Sequence, residues 1–351
     1  MQQSKGPEAF FSEPLFEYTE ESNGMMRQVS KGVKGFIDSV KPNMQVRVNR
    51  EYYEALPGDN TQKTTAILAS LTALSARVKI TTLEMPHMHL SGGEQALADV
   101  VRAHRTTLTR VDFDNNDFYS QMPAVLGAAL AQCSSLARVS MSSCGIVESV
   151  AADLMHSLSS CTQLTHLNLA NNTLRLAGAQ GVADALATFP LLSLLDLSSN
   201  AIGDEGTGLL AAALPRCSAL SILRLCTNSI RATGCISLAS ALPACAGLAE
   251  LDLHNNFIGN EGCEALMRMY KARPNPRMTV DVRRNGVGVE HMVAARAAGI
   301  VSYDVARVLA PPPAGPATWG ATGQTDAACA GDEGLCDAQL CAMRRLLCHD
   351  A

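Results

Sequence analysis

Residues Leu164–Gly178 read LTHLNLANNTLRLAG. The same pattern returns at Leu194–Gly206 (LLDLSSNAIGDEG), Leu220–Gly234 (LSILRLCTNSIRATG) and Leu248–Gly262 (LAELDLHNNFIGNEG). Each block carries an anchor asparagine at the same place, Asn172, Asn200, Asn228 and Asn256, 28 residues from the next. A fixed period of roughly 20 to 50 residues marks a chain that stacks one small unit many times.

Working outward, the spacing L-x-x-L-x-L-x-x-N-x-L extends in both directions. Upstream it is filled by Ile80, Leu83, Met85, Met88 and Leu90, by Leu108, Val111, Phe113, Asn116 and Phe118, and by Leu136, Val139, Met141, Cys144 and Ile146. Downstream it continues, degraded, in Val280, Val282, Asn285 and Val287. The anchor positions are therefore 88, 116, 144, 172, 200, 228, 256 and 285, with a single extra residue in the last step.

The spacing dictates the unit. Alternate residues of a strand point to opposite faces, so the two leucines of L-x-L face one way and the x residues the other. Leu225 is thus assigned inward and Asp252 outward. Leu225→Asp should break the array, because an unpaired buried carboxylate is very unfavourable. Asp252→Ala should leave stability nearly unchanged. The anchor amides (Asn116, Asn172, Asn200, Asn228, Asn256 and Asn285) can satisfy backbone groups in the turn and stack as a ladder. Cys144 is a weaker hydrogen bonder there and Met88 offers none. Glycine six residues after the anchor (Gly178, Gly206, Gly234, Gly262) lets the next helix approach the sheet. Val182 and Leu186, Leu210 and Leu214, and Leu238 and Leu242 lie one helical turn apart and face inward. Cys133, Cys161, Cys217 and Cys245 share a slot with Phe189, which makes it an apolar packing slot holding reduced thiols.

The 28-residue unit with I-G-x-E-G-x-x-x-L after the asparagine, seen at Ile202–Leu210, resembles the ribonuclease-inhibitor-type leucine-rich repeat over roughly residues 80–290. The resemblance implies an α/β solenoid, a horseshoe with a parallel β-sheet on the concave face and helices on the convex face. It is similar in fold to the Ran GTPase-activating protein, the repeat domains of NOD-like receptors, tropomodulin-type actin cappers and several axonemal proteins, and does not select among their functions.

The organisation expected is a mobile acidic and aromatic arm (1–22), an N-terminal cap with an irregular first repeat (23–79), repeats with a closing segment (80–310), a Pro/Gly/Ala linker (311–334) and a short C-terminal helix (335–351). Within the cap, residues 24–40 have helical spacing, 44–48 alternate as a strand, NREYYEALPGDN reads as irregular and 61–77 as a helix. The 351 residues are 47% hydrophobic but 4% aromatic, so the core is one of small aliphatic side chains. A net charge of -5 without a basic run argues against nucleic acid. No window approaches the ~18 apolar residues of a membrane span, and MQQSKGPEAF lacks a signal region. A cytoplasmic protein is expected, with cytoskeletal association as an alternative.

The outward residues form three lateral rows. Six places before the anchors lie Arg138, His166 and Glu250 among others; four before lie Asp112, Asn168, Asp196, Arg224, Asp252 and Asp281; two before lie Asp114, His254 and Arg283. These twelve are the expected partner-binding residues. No nucleotide, zinc-protease or serine-hydrolase motif is present. Met85, His87, Met88 and His89 lack metal-ligand spacing, as do Cys329, Cys336, Cys341 and Cys348. The expectation is a non-catalytic scaffold without metal, cofactor or small-molecule substrate, which binds a protein through its concave face or helix-free rims. The alternatives are an activator of a small GTPase resembling the Ran activator, and a structural cytoskeletal or axonemal component.

Overall fold

Each 28-residue unit folds as strand, turn and helix, and the units stack in sequence order. The structure, a computed structural model, describes residues 17–19, 26–28, 43–48, 50–75, 78–118, 122–272 and 278–298. Two short strands come first, β1 (Glu17–Thr19) and β2 (Met26–Gln28), paired antiparallel. The sheet begins at β3 (Asn43–Arg47) and runs through β4 (Lys79–Glu84), β5 (Arg110–Asp112), β6 (Arg138–Ser140), β7 (His166–Asn168), β8 (Leu194–Asp196), β9 (Ile222–Arg224), β10 (Glu250–Asp252) and β11 (Thr279–Asp281). These nine strands form one sheet in sequence order. Every neighbouring pair is parallel, as the repeat demands.

Helices return the chain from each strand to the next. They are α1 (Arg50–Ala55), α2 (Asn60–Ser75), α3 (Glu94–Ala103), α4 (Met122–Leu130), α5 (Glu148–Leu158), α6 (Arg175–Ala185), α7 (Gly203–Ala213), α8 (Ala232–Ala241), α9 (Gly259–Ala272) and α10 (Val289–Ala297). The core lies between sheet and helices and is continuous from Val46 to Ala295. One unit cannot enclose its leucines alone. Stacked units do, and Leu195, Leu197, Leu223, Leu225, Leu251 and Leu253 are all fully buried. Gly206 explains how close the helices come: a Cβ there would sit 2.7 Å from Ile202 Cγ2 and 3.0 Å from Ala179 Cβ. The inward helical residues Val182, Leu186, Leu210, Leu214, Leu238 and Leu242 are buried as their spacing requires.

The anchors form the expected ladder. Asn228 Oδ1 accepts the backbone N–H of Asn200 (2.9 Å) and of Ile202 (3.3 Å), while its Nδ2 donates to Leu197 O (2.8 Å) and Cys226 O (3.2 Å). Asn172, Asn200, Asn256 and Asn285 repeat most of this arrangement. Cys144 reproduces the donor half only in part: its thiol reaches Phe113 O at 3.0 Å and Ser142 O at 3.4 Å.

Three details depart from the sequence-based expectations. Met26–Gln28 is a strand, since pairing with Glu17–Thr19 satisfies its backbone; the rest of the helix expected over 24–40 lies outside the described residues. The insert at 49–60 contains helix α1, held because Tyr53 and Leu56 are buried and the Tyr53 hydroxyl meets Asn60 O (3.2 Å) and Thr64 Oγ1 (3.3 Å). Helix starts are also capped from the preceding unit in alternate repeats. Glu148 accepts the Ala177 N–H, Asp204 those of Arg231 and Gly234, and Asn260 that of Gly288, whereas Leu176 and Ala232 occupy the equivalent places between. The segments expected at 299–310, 311–334 and 335–351 lie outside the described residues, as does most of the arm at 1–22.

Candidate partner-binding face

In β5 and β7 through β10 the middle residue is buried and both neighbours stay partly accessible. Register aligns those neighbours into lateral rows. Arg138, His166, Leu194, Ile222 and Glu250 follow one another in the upstream row, and Ser140, Asn168, Asp196, Arg224, Asp252 and Asp281 in the middle row. The ladder continues beyond the strands, with Asn115 N bonded to Ser142 O, Thr227 N to His254 O and Asn255 N to Arg283 O, so the downstream row holds Asp114, Ser142, His254 and Arg283. All twelve residues expected on this face are found there. They do not converge on one point. Asp112 and Asp281 are six strands apart, roughly 30 Å at the usual spacing, too far to share a small ligand.

The middle-row polar side chains do more than stand in water. Asp112, Asn168, Asp196, Asp252 and Asp281 each accept the backbone N–H two residues on, at 2.8 to 3.1 Å. Short polar side chains favour this local turn, so part of their recurrence is structural. Sequence spacing placed these acids but did not expose the turn.

Two polar networks distinguish the ends of the face. Toward the N-terminal end, Asn168 Nδ2 donates to Ser140 Oγ (2.9 Å), whose hydroxyl donates to Asp114 Oδ1 (2.7 Å), and Asp114 also accepts the Ser142 N–H (2.6 Å). Burial pushes the Asp114 carboxyl above its ordinary range despite those bonds. Glu84 lies between Arg47 (3.4 Å) and Arg110 (3.0 Å). Toward the C-terminal end, Arg224 sits between Asp196 (3.7 Å) and Glu250 (3.3 Å), and Arg283 pairs with Asp281 (2.7 Å). Asp252 is the uncomfortable member. Burial, with Asp281 and Asp196 as like-charged neighbours, pushes it up to about 6, although the His254 N–H and Arg224 pull the other way. Burial lowers His254 and His166, and Arg138 and Arg110 add to the effect on His166.

Sequence reasoning passed over the most exposed large apolar side chain among the described residues. Phe257, on the rim directly after anchor Asn256, is 66% exposed beside the hollow lined by Arg231, Ile258 and Glu261. Its signal was readable, because the equivalent residues Thr173, Ala201 and Ser229 are small or polar.

A family model described as Leucine Rich repeat matches residues 160–183, 190–211 and 248–267. Those matches fall on units whose strands, β7, β8 and β10, belong to the one parallel sheet. The fold is a leucine-rich-repeat solenoid. No curated protein matches the chain. Among the chain's described residues, no helix is long and apolar enough to cross a membrane. None of its described His, Cys, Asp and Glu side chains gather in threes as metal ligands would.

Proposed function

We propose that this leucine-rich-repeat protein is a non-catalytic scaffold that binds a protein partner through its concave face. The observation that carries the proposal is the row structure of the sheet, where outward side chains of consecutive strands stand in register as a broad, half-accessible polar surface. Such a rigid, extended concavity suits a macromolecular partner. The acids of the middle row disfavour a phosphate backbone as ligand. The 28-residue unit with a helix in each repeat supports the ribonuclease-inhibitor type. Buried reduced thiols are in keeping with a cytoplasmic setting. No observation on the described residues favours a small-GTPase activator or a cytoskeletal component over a general scaffold.

A photo-crosslinking residue at Asn168, on the concave face, and at Asp153, on the convex α5, tests the proposal in cells. Partner adducts from position 168 that are absent from position 153 are expected. Adducts only from position 153 would overturn it.

A further inference from the structure

The upstream row changes character along the array. Arg110 and Arg138 stand toward one end, His166 follows, Leu194 and Ile222 are adjacent and partly accessible, and Glu250 comes next, before Thr279. Arg110 is committed to Glu84. Arg138 is exposed and, among the described residues, its side chain enters no ion pair. It is therefore a cation available to a partner. Leu194 and Ile222 make an apolar step in the upstream row, next to each other across the β8–β9 pairing. At the far end Glu250 and Asp252 lie two residues apart on the same strand, so both point to the concave side. Arg224 bonds Glu250 and stands beside Asp252 in the register, and the other lateral neighbour of Asp252 is Asp281. Arg224 and Arg283, the cations of that end of the face, are paired with Glu250 and Asp281, which leaves Asp252 outside any ion pair among the described residues.

We propose that the concave face takes one extended peptide segment laid across β6 to β10, with an acidic side chain on Arg138, two aliphatic side chains over Leu194 and Ile222, and a Lys or Arg between Glu250 and Asp252. The inference rests on the concave face being the partner site. The spacing supports it. At about 4.8 Å per strand, the row places Leu194 roughly 10 Å, Ile222 roughly 14 Å and Glu250 roughly 19 Å from Arg138. An extended chain presents side chains to one face every two residues, about 6.8 Å, so positions i, i+4 and i+6 fall at roughly 0, 14 and 20 Å, over Arg138, Ile222 and Glu250, while i+2 at roughly 7 Å lands between His166 and Leu194 and leans onto Leu194. The partner motif is acid-x-aliphatic-x-aliphatic-x-base. The sheet's own backbone groups are already paired, so recognition runs through side chains and either chain direction is admissible.

The test uses fluorescein-labelled peptides carrying Glu-Ser-Leu-Ser-Leu-Ser-Arg between Gly/Ser flanks, with anisotropy as the readout and the full chain as the receptor. Replacing both leucines by serine, or Arg by a second Glu, is expected to weaken binding at least tenfold. Arg138→Glu, at an exposed position, should lose the parent peptide and gain one with Arg at both ends. Equal binding of the parent and the serine control, or parent binding unaffected by Arg138→Glu, would sink the inference. Concave-face crosslinks at position 168 that persist in that case would leave the general scaffold reading standing. Their absence, with adducts from position 153, would remove both.

Discussion

Asn256 Oδ1 accepts the backbone N–H of Asn228 at 2.8 Å, and the Asn228 amide in turn accepts the N–H of Asn200. Each anchor therefore ties its own turn to the one before it. Coupling between units, on which the cooperativity of a solenoid depends, runs through buried amides as well as leucines. Asn228→Ala would strand the N–H groups of Asn200 and Ile202, while the carbonyls of Leu197 and Cys226 keep the Asn200 side-chain amide and the Ser199 N–H. A buried group left unsatisfied costs about 1–3 kcal/mol. The variant is expected to lose about 3–5 kcal/mol in urea unfolding, with a broadened transition as the array splits at that joint. A change within 0.5 kcal/mol would be incompatible with a load shared through the ladder.

Cys144 offers the converse experiment. Its thiol reaches the Phe113 carbonyl, and the Asn116 N–H that an anchor oxygen would accept faces sulfur instead. Cys144→Asn should restore the missing acceptor and add about 1 kcal/mol, seen as a raised urea midpoint with an unchanged slope. Destabilisation would mean that the turn at 144 has adapted its backbone to sulfur.

The remaining core thiols should be inert in the native state. Burial pushes Cys133 and Cys235 up to about 12, and Cys161, Cys217 and Cys263 up to about 11. The thiolate is the reactive form, so almost none is present near neutrality. Maleimide labelling at pH 7, mapped by mass spectrometry, should leave these five untouched until urea unfolds the array. Native labelling at any of them within minutes would contradict the burial.

How much of this was legible beforehand depended on whether a residue's role repeats. Leu225, Gly206 and Asn228 do the same work in each unit, so periodicity alone gave their places, and the strand register reproduced the lateral rows residue by residue. Roles that occur once were hidden. The pairing of Met26–Gln28 with Glu17–Thr19 and the short helix around Tyr53 depend on contacts with no counterpart in another unit. The face was legible as a list of outward residues. The fixing of its acids by downstream N–H groups, and the isolation of Arg138 beside a committed Arg110, depend on side-chain geometry that spacing does not encode.

Asp252 tests that geometry most directly, and it revises the expectation that this outward acid is neutral for stability. Its ordinary value of 3.8 is raised to about 6, first by burial and then by Asp281 and Asp196. Below about pH 4 the group is protonated in both the folded and unfolded chain and costs nothing. Between about 4 and 6 the folded chain binds the proton more tightly, so stability falls as pH rises through that window. Above about 6 the ionised carboxylate sits half-buried among like charges, and the loss is complete. Asp252→Asn keeps an acceptor for the His254 N–H and removes the charge. It should stabilise the protein by about 3 kcal/mol at pH 7.5, with the gain shrinking toward zero by about pH 4. Asp252→Ala forfeits that N–H acceptor, a loss of about 1 kcal/mol, and should gain less. Paired urea titrations of wild type and both variants across that range give the curves. A pH-independent difference would show that the carboxylate is already neutralised by Arg224. A gain that follows the predicted curve would identify an acid held against its own stability, which is the property expected of a side chain kept for a cationic partner.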